Sequence, residues 1–175
     1  TNGMSNARRD GPHADSAVVV NVRTEDFQGG GPLGGLDFRR FWERKAFLLG
    51  GGGYRAPAQR LTDFLEARDA GTLGTTSFLP GVTAAPLEEV LPRFVVNALK
   101  AGIRQFDRKM PGFITAEAHL VGVETRTSSP VRIVRGDDGQ SVTLAGLYPC
   151  GEGAGYAGGI ISSALDGIQA ALNMA

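Results

Sequence analysis

Toward the end of the chain the spacing of apolar residues changes period. Val142 to Leu144 and Leu147 to Cys150 are short β-prone runs. Ile160, Ile161, Ala164, Leu165, Ile168 and Leu172 then recur at helical spacing through Gly159 to Met174. Between them lies the glycine-dense turn Gly151 to Gly159. The sequence therefore predicts a buried strand, a tight turn and a helix of small residues. Upstream, Ser16 to Val22 reads as a continuous apolar strand buried on both faces. Leu36 to Leu49 places Phe38, Phe41, Trp42, Lys45, Leu48 and Leu49 at helical spacing, capped by Asp37 and ended by Gly50 to Gly53. A second helix is expected from Pro57 to Arg68, with Leu61, Phe64 and Leu65 on one face, then a loop from Gly71 to Ala85. A third helical pattern runs from Pro86 to about Lys109, and Pro92 should break or kink its first turn.

After that helix the pattern turns to strands, at Ala118 to Thr125 and Val131 to Val134, with a hairpin signal at Gly136 to Gly139. The expected fold class is α+β (mixed). Residues 1-23 and 112-175 form a β-containing lobe, interrupted by a mainly helical lobe at 24-111.

Composition narrows the classes of function. With 175 residues, 42% of them hydrophobic, the chain can build one ordinary core or two small lobes. Lys+Arg and Asp+Glu balance at 18 each, so no net charge draws it to nucleic acid or to an anionic membrane. No apolar run has the length of a membrane span. Cys150 has no second cysteine to pair with and is expected to be a buried apolar thiol, which fits a cytoplasmic location. One cysteine and two distant histidines, His13 and His119, do not suggest a zinc site. No metal is expected.

The turn carries the candidate chemistry. Glycines remove the Cβ atoms that would block a ligand, and first-turn amides with the helix dipole present positive partial charge to an electron-rich group. Gly153, Gly155 and Gly158 satisfy G-x-G-x-x-G. A complete dinucleotide fingerprint also needs a second parallel strand and an acidic residue about 20 residues on, and the sequence has room only for the helix. Glu152 is placed to accept from a hydroxyl. Tyr156 either stacks on an aromatic ligand or covers the turn. Arg126, Ser128 and Ser129, and separately Tyr54 and Arg55, are thinner candidates for a polar cleft.

The run GLYPCGEGAGYAGGIISSALDGI, with TNGMSNARRDG, YRAPAQR and VETRTSSPVRI, resembles the uncharacterised FAD-dependent dehydrogenases, also called NAD(FAD)-utilising dehydrogenases, in their C-terminal portion. The resemblance implies a two-lobed, glutathione-reductase-like flavoprotein that uses FAD. Its N-terminal FAD-binding region would be this chain's partner, and the small-molecule substrate or electron donor is left open. By that resemblance Glu152, where many relatives have Asp, holds a ribityl hydroxyl. Gly158, Gly159 and Ile160 offer amides to the pyrimidine edge of the isoalloxazine. Gly151, Gly153 and Tyr156 complete the cofactor-binding set, and no catalytic side chain is implied. The resemblance implies an oxidoreductase as the intact protein, with weak or no FAD binding by this chain alone. A noncatalytic nucleotide- or anion-binding domain built on the same turn is the alternative.

Overall fold

A computed structural model describes Arg8, residues 10–27 and residues 30–174. They fall into two compact units, Thr1–Arg23 with Arg39–Glu124, and Thr24–Phe38 with Thr125–Ala175. This grouping differs from a division at residues 24 and 112. Helices and a small sheet together make the chain α+β.

In the first unit α1 (Gly34–Leu49, whose first turn is grouped with the other unit) ends as its glycines require. The Gly50 and Gly52 amides close onto the Ala46 and Phe47 carbonyls at 2.8 and 2.9 Å. A Cβ on Gly50 would lie 2.1 Å from the Arg55 carbonyl oxygen, so no larger residue fits where the chain doubles back. The segment expected as a helix from Pro57 is instead strand β1 (Ala56–Arg60), and only Leu61–Leu65 is helical, as α2. The segment expected as a loop to Ala85 contains strand β2 (Val82–Ala84). The sheet runs β2-β1-β3, with β1 parallel to β2 and antiparallel to β3 (His119–Val121). Pro57 marks where the β1–β3 ladder stops. Gly122 donates to the Pro57 carbonyl at 3.1 Å, but proline has no N–H to return the bond.

Pro92 does more than kink the third helix. A 3₁₀ turn at Leu87–Glu89 comes first, and α3 (Arg93–Lys109) starts directly after Pro92, whose carbonyl accepts from Val96 at 3.0 Å. At its far end the Asp107 carboxylate accepts from the amides of Gly112 and Ile114 at 3.2 and 3.0 Å, fixing the exit. Phe64, Leu61, Leu65, Leu87, Val90, Val96 and Ile103 form the core between α2, the 3₁₀ turn and α3.

The expected strand at Ser16 to Val22 is irregular, with Val18 packed on this core and Val19 and Val22 exposed. A β-prone run makes a strand only where a partner backbone pairs with it, and none of the described residues does so. Both histidines lie in this unit. On β3, His119 Nε2 accepts from the Gly74 amide at 3.2 Å, which requires the neutral ring. Burial chiefly, then the nearby charges of Arg60 and His13, lower its pKa to match.

In the second unit the β-prone runs do not become strands either. Val131 to Val134, Val142 to Leu144 and Leu147 to Cys150 are irregular, joined by one isolated bridge between Arg135 and Ser141. The hairpin signal is realised locally, with the Gly136 amide donating to the Gln140 carbonyl at 2.9 Å. The expected C-terminal helix is present as α4 (Ile160–Asn173). Among the described residues no helix is long and apolar enough to cross a membrane.

Candidate functional site

The glycine turn is held in shape by the segment that precedes it. Ser129 Oγ donates toward the carbonyls of Val131 and Gly153, at 2.9 and 3.1 Å. Ile133 N–H donates to the Ala154 carbonyl at 3.1 Å, and Arg132 Nε to the Gly155 carbonyl at 3.0 Å. Residues 129–135 thus run against 151–156 as a backing strap. Ser129, a thin candidate for ligand contact from sequence, instead secures the turn.

Gly155 is where the two segments touch. Its φ is +84°, and an added Cβ would stand 2.5 Å from the Val131 carbonyl oxygen and 3.0 Å from Arg132 Cα. Only glycine satisfies both demands.

Asp166 on α4 ties the helix to the turn. Its carboxylate receives both Arg135 Nη atoms, at 2.7 and 3.1 Å, and the Gly151 amide at 2.7 Å. Arg135 also donates to the Pro149 carbonyl at 2.8 Å. The Arg135 guanidinium first, and the Gly151 amide second, hold the Asp166 carboxyl below the usual carboxylate range. A depressed folded pKa adds stability that is complete above about pH 4, the unfolded carboxylate value, and is lost as pH falls through the folded value. Asp166→Ala is therefore expected to cost about 1.5–3 kcal/mol at neutral pH, the range for hydrogen bonds to a charged group. Urea melts of variant and parent should converge as the pH is lowered below the unfolded carboxylate value of about 4 and through the folded one. A gap that persists undiminished in acid would show that the carboxylate charge is not what ties the helix.

These contacts sort the sequence-predicted residues. Gly151 is buried and its amide is taken by Asp166. The Tyr156 hydroxyl accepts from the Arg135 amide at 3.1 Å and donates to the Ile133 carbonyl at 3.2 Å. The Arg135 and Arg132 guanidinium groups lie 3.7 and 4.9 Å from its ring centre. Both residues are used within the turn, and Tyr156 covers it. Glu152 is half-buried, while Gly153, Gly158, Gly159 and Ile160 are exposed.

An added Cβ on Gly153 or Gly158 would meet no atom within 4 Å, so the space beside the turn is open. At the head of α4, Ser162 Oγ takes the Gly159 amide at 3.1 Å. No described residue accepts from the amides of Ile160 or Ile161, which leaves donors at the helix start for an electron-rich group. Cys150 is exposed, contrary to the expectation of a buried thiol, because the run that carries it is not covered by a sheet.

Sequence reasoning missed Arg135 and Asp166. Their spacing of 31 residues gives no local signal, and the only hint was a lone carboxylate in an otherwise uncharged helix. Tyr54 is exposed, and Arg55 binds Val82 and Thr83 of β2, securing the sheet edge.

The fold and turn thus define an α+β chain whose C-terminal corner offers an open, glycine-lined helix start. The family described as "FAD-dependent protein, C-terminal domain-like" matches residues 1–127, and the chain belongs to that family. It is also similar to an uncharacterized protein of Clostridium beijerinckii, with 50% identity over 173 residues. That alignment takes in 98% of this chain and 32% of the relative, so the chain spans about a third of the relative's length.

Proposed function

We propose that this chain is the C-terminal portion of an FAD-dependent oxidoreductase, a dehydrogenase of glutathione-reductase-like architecture. In this reading it supplies the isoalloxazine and ribityl end of the flavin site and part of the substrate cleft. The observation that carries the reading is the open corner at Gly158 to Ile160 in a chain of an FAD-dependent family. Bound FAD would supply the hydride-accepting chemistry.

The chain's own residues bind and orient. The Ile160 and Ile161 amides, at the positive end of α4, would stabilise negative charge on the ring's pyrimidine edge. The Glu152 carboxylate would accept from a ribityl hydroxyl. Gly153 and Gly158 would let the cofactor approach, while Gly151 and Tyr156 keep the turn in shape. The adenosine and pyrophosphate contacts, and a cytoplasmic location, belong to the protein of which this would be the C-terminal part.

The test is the visible absorption spectrum of a protein of the relative's length. A flavin band is expected, and a folded, colourless protein would refute the reading. In that protein Glu152→Ala should weaken flavin retention by about 1–3 kcal/mol, roughly 5- to 150-fold in Kd. Unchanged retention removes Glu152 from the site. The 175-residue chain alone should bind FAD weakly or not at all, since half of an extended cofactor's contacts forfeits much of its affinity. Tight binding by the chain alone would overturn this division of the site.

A further inference from the structure

The helix α4 turns a stripe of small residues and one carboxylate inward. Ser163, Asp166, Gly167 and Ala170 are its less exposed positions, and Asp166 is fastened to Arg135 and Gly151. Its large apolar side chains all point away from the unit. Ile160, Ile161, Leu165, Ile168 and Leu172 are between 59% and 89% exposed. This reverses the usual arrangement, in which an amphipathic helix buries its apolar stripe.

The rest of the second unit does not compensate. Apart from Pro149, its buried apolar side chains among the described residues are only Ala154 and Ala170. Ile133, Val134, Val142, Leu144 and Leu147 are also exposed. Large apolar side chains left exposed in this number on one small unit mark an interaction surface.

Charge limits what could cover it. From Gly136 to Ala175 there is no lysine or arginine, and Asp137, Asp138, Glu152 and Asp166 are acidic. Nucleic acid and an anionic membrane surface are therefore repelled, and an interfacial helix would need basic residues that α4 lacks. A symmetric pair of α4 helices would cover one stripe and leave the exposed residues from Ile133 to Leu147 in water. One larger apolar body meets the need better, and the relative carries about twice this chain's length beyond the aligned region.

We propose that the outward stripe of α4, Ile161, Leu165, Ile168 and Leu172, docks against the remaining two thirds of a protein of the relative's length. The stripe would thereby complete a hydrophobic core that the second unit only half contains. Such a surface would behave as an obligate interface and not as a transient one. This rests on the reading of the chain as the C-terminal portion of a longer protein.

The test uses that full-length protein with Cys150→Ser, comparing maleimide labelling of Ile168→Cys with that of Asp137→Cys on the exposed hairpin turn. Ile168→Cys should label at least about 100-fold more slowly, at a rate unchanged by dilution. Equal labelling rates would overturn the proposal. Protection that disappears on dilution would also overturn it, by assigning the stripe to a second copy. If the substituted proteins fail to fold, hydroxyl-radical footprinting of Leu165, Ile168 and Leu172 in the unsubstituted protein gives the same reading, with low modification expected and high modification contradicting it. The absorption spectrum of the same sample separates the two ideas. A colourless protein with protected Ile168→Cys defeats only the flavin reading, and a yellow one with free labelling defeats only the docking.

Discussion

Gln59→Leu should destabilise the chain by about 2–4 kcal/mol, although leucine is similar in size and apolar. Gln59 lies in the middle of β1, only 1% exposed, and its amide serves two backbone groups. Its Oε1 accepts from the Leu87 amide at 3.0 Å, and its Nε2 donates to the Arg68 carbonyl at 2.7 Å. Both partners lie at turns that follow short elements, where no helical or strand ladder satisfies them. Leucine would leave the Leu87 amide buried and unpaired, and the desolvation cost of that group exceeds what the extra apolar surface returns. Urea unfolding should show a lower midpoint with an unchanged slope. A loss below about 1 kcal/mol would mean that water replaces the amide, and that Gln59 does not clamp the sheet to α2 and the 3₁₀ turn.

Gly155→Ala should cost about 2–5 kcal/mol and displace the candidate site with it. The positive φ alone costs roughly 1–2 kcal/mol for an L side chain, and the overlap with the Val131 backbone adds about 1–3. Unlike a long side chain, the Val131 carbonyl cannot swing aside without moving the strap that holds Gly153 and Ala154. The expected result is a lower thermal midpoint and, if a protein of the relative's length holds flavin as proposed, loss of that flavin. Gly153→Ala is the matched control. It meets nothing within 4 Å, so stability should stay within about 0.5 kcal/mol. If the two substitutions destabilise equally, the close approach at Gly155 is not what shapes the turn.

The proposed site lies at the first turn of α4 and the proposed interface runs along the same helix, so the two place different demands on it. The first-turn amides must stay open to a ligand, while the apolar stripe that begins at Ile161 must be covered. Asp166 serves both, because it fixes the rotation of α4 about its own axis. Losing it would free the helix to turn its apolar stripe inward and to move the Ile160 and Ile161 amides off their line.

Elements whose cause is local could be read from the residues. The helices α1 and α4, the glycines that stop α1, the break at Pro92 and the turn at Gly136 to Gly139 each depend on neighbours a few positions away, although the third helix, expected from Pro86, starts only at Arg93. The open helix start was legible for the same reason, since glycine density and helical spacing both act locally. Strands depended on partners far along the chain. Ala56–Arg60 became the central strand because Val82–Ala84 and His119–Val121 flank it, whereas Val131 to Val134 and Leu147 to Cys150, with stronger β character, make only scattered backbone bonds and pair with no strand among the described residues. Side-chain commitments were hidden for the same reason. Nothing near Tyr156 announces that Arg132 and Arg135 lie over its ring, and nothing near Asp166 announces Arg135. By itself, then, the sequence determined where the backbone bends at its glycines and where α1 and α4 run. Only tertiary structure decided which segments pair, which polar groups hold the turn and which face of α4 looks outward, because those outcomes are set by groups that meet in space after long stretches of intervening chain.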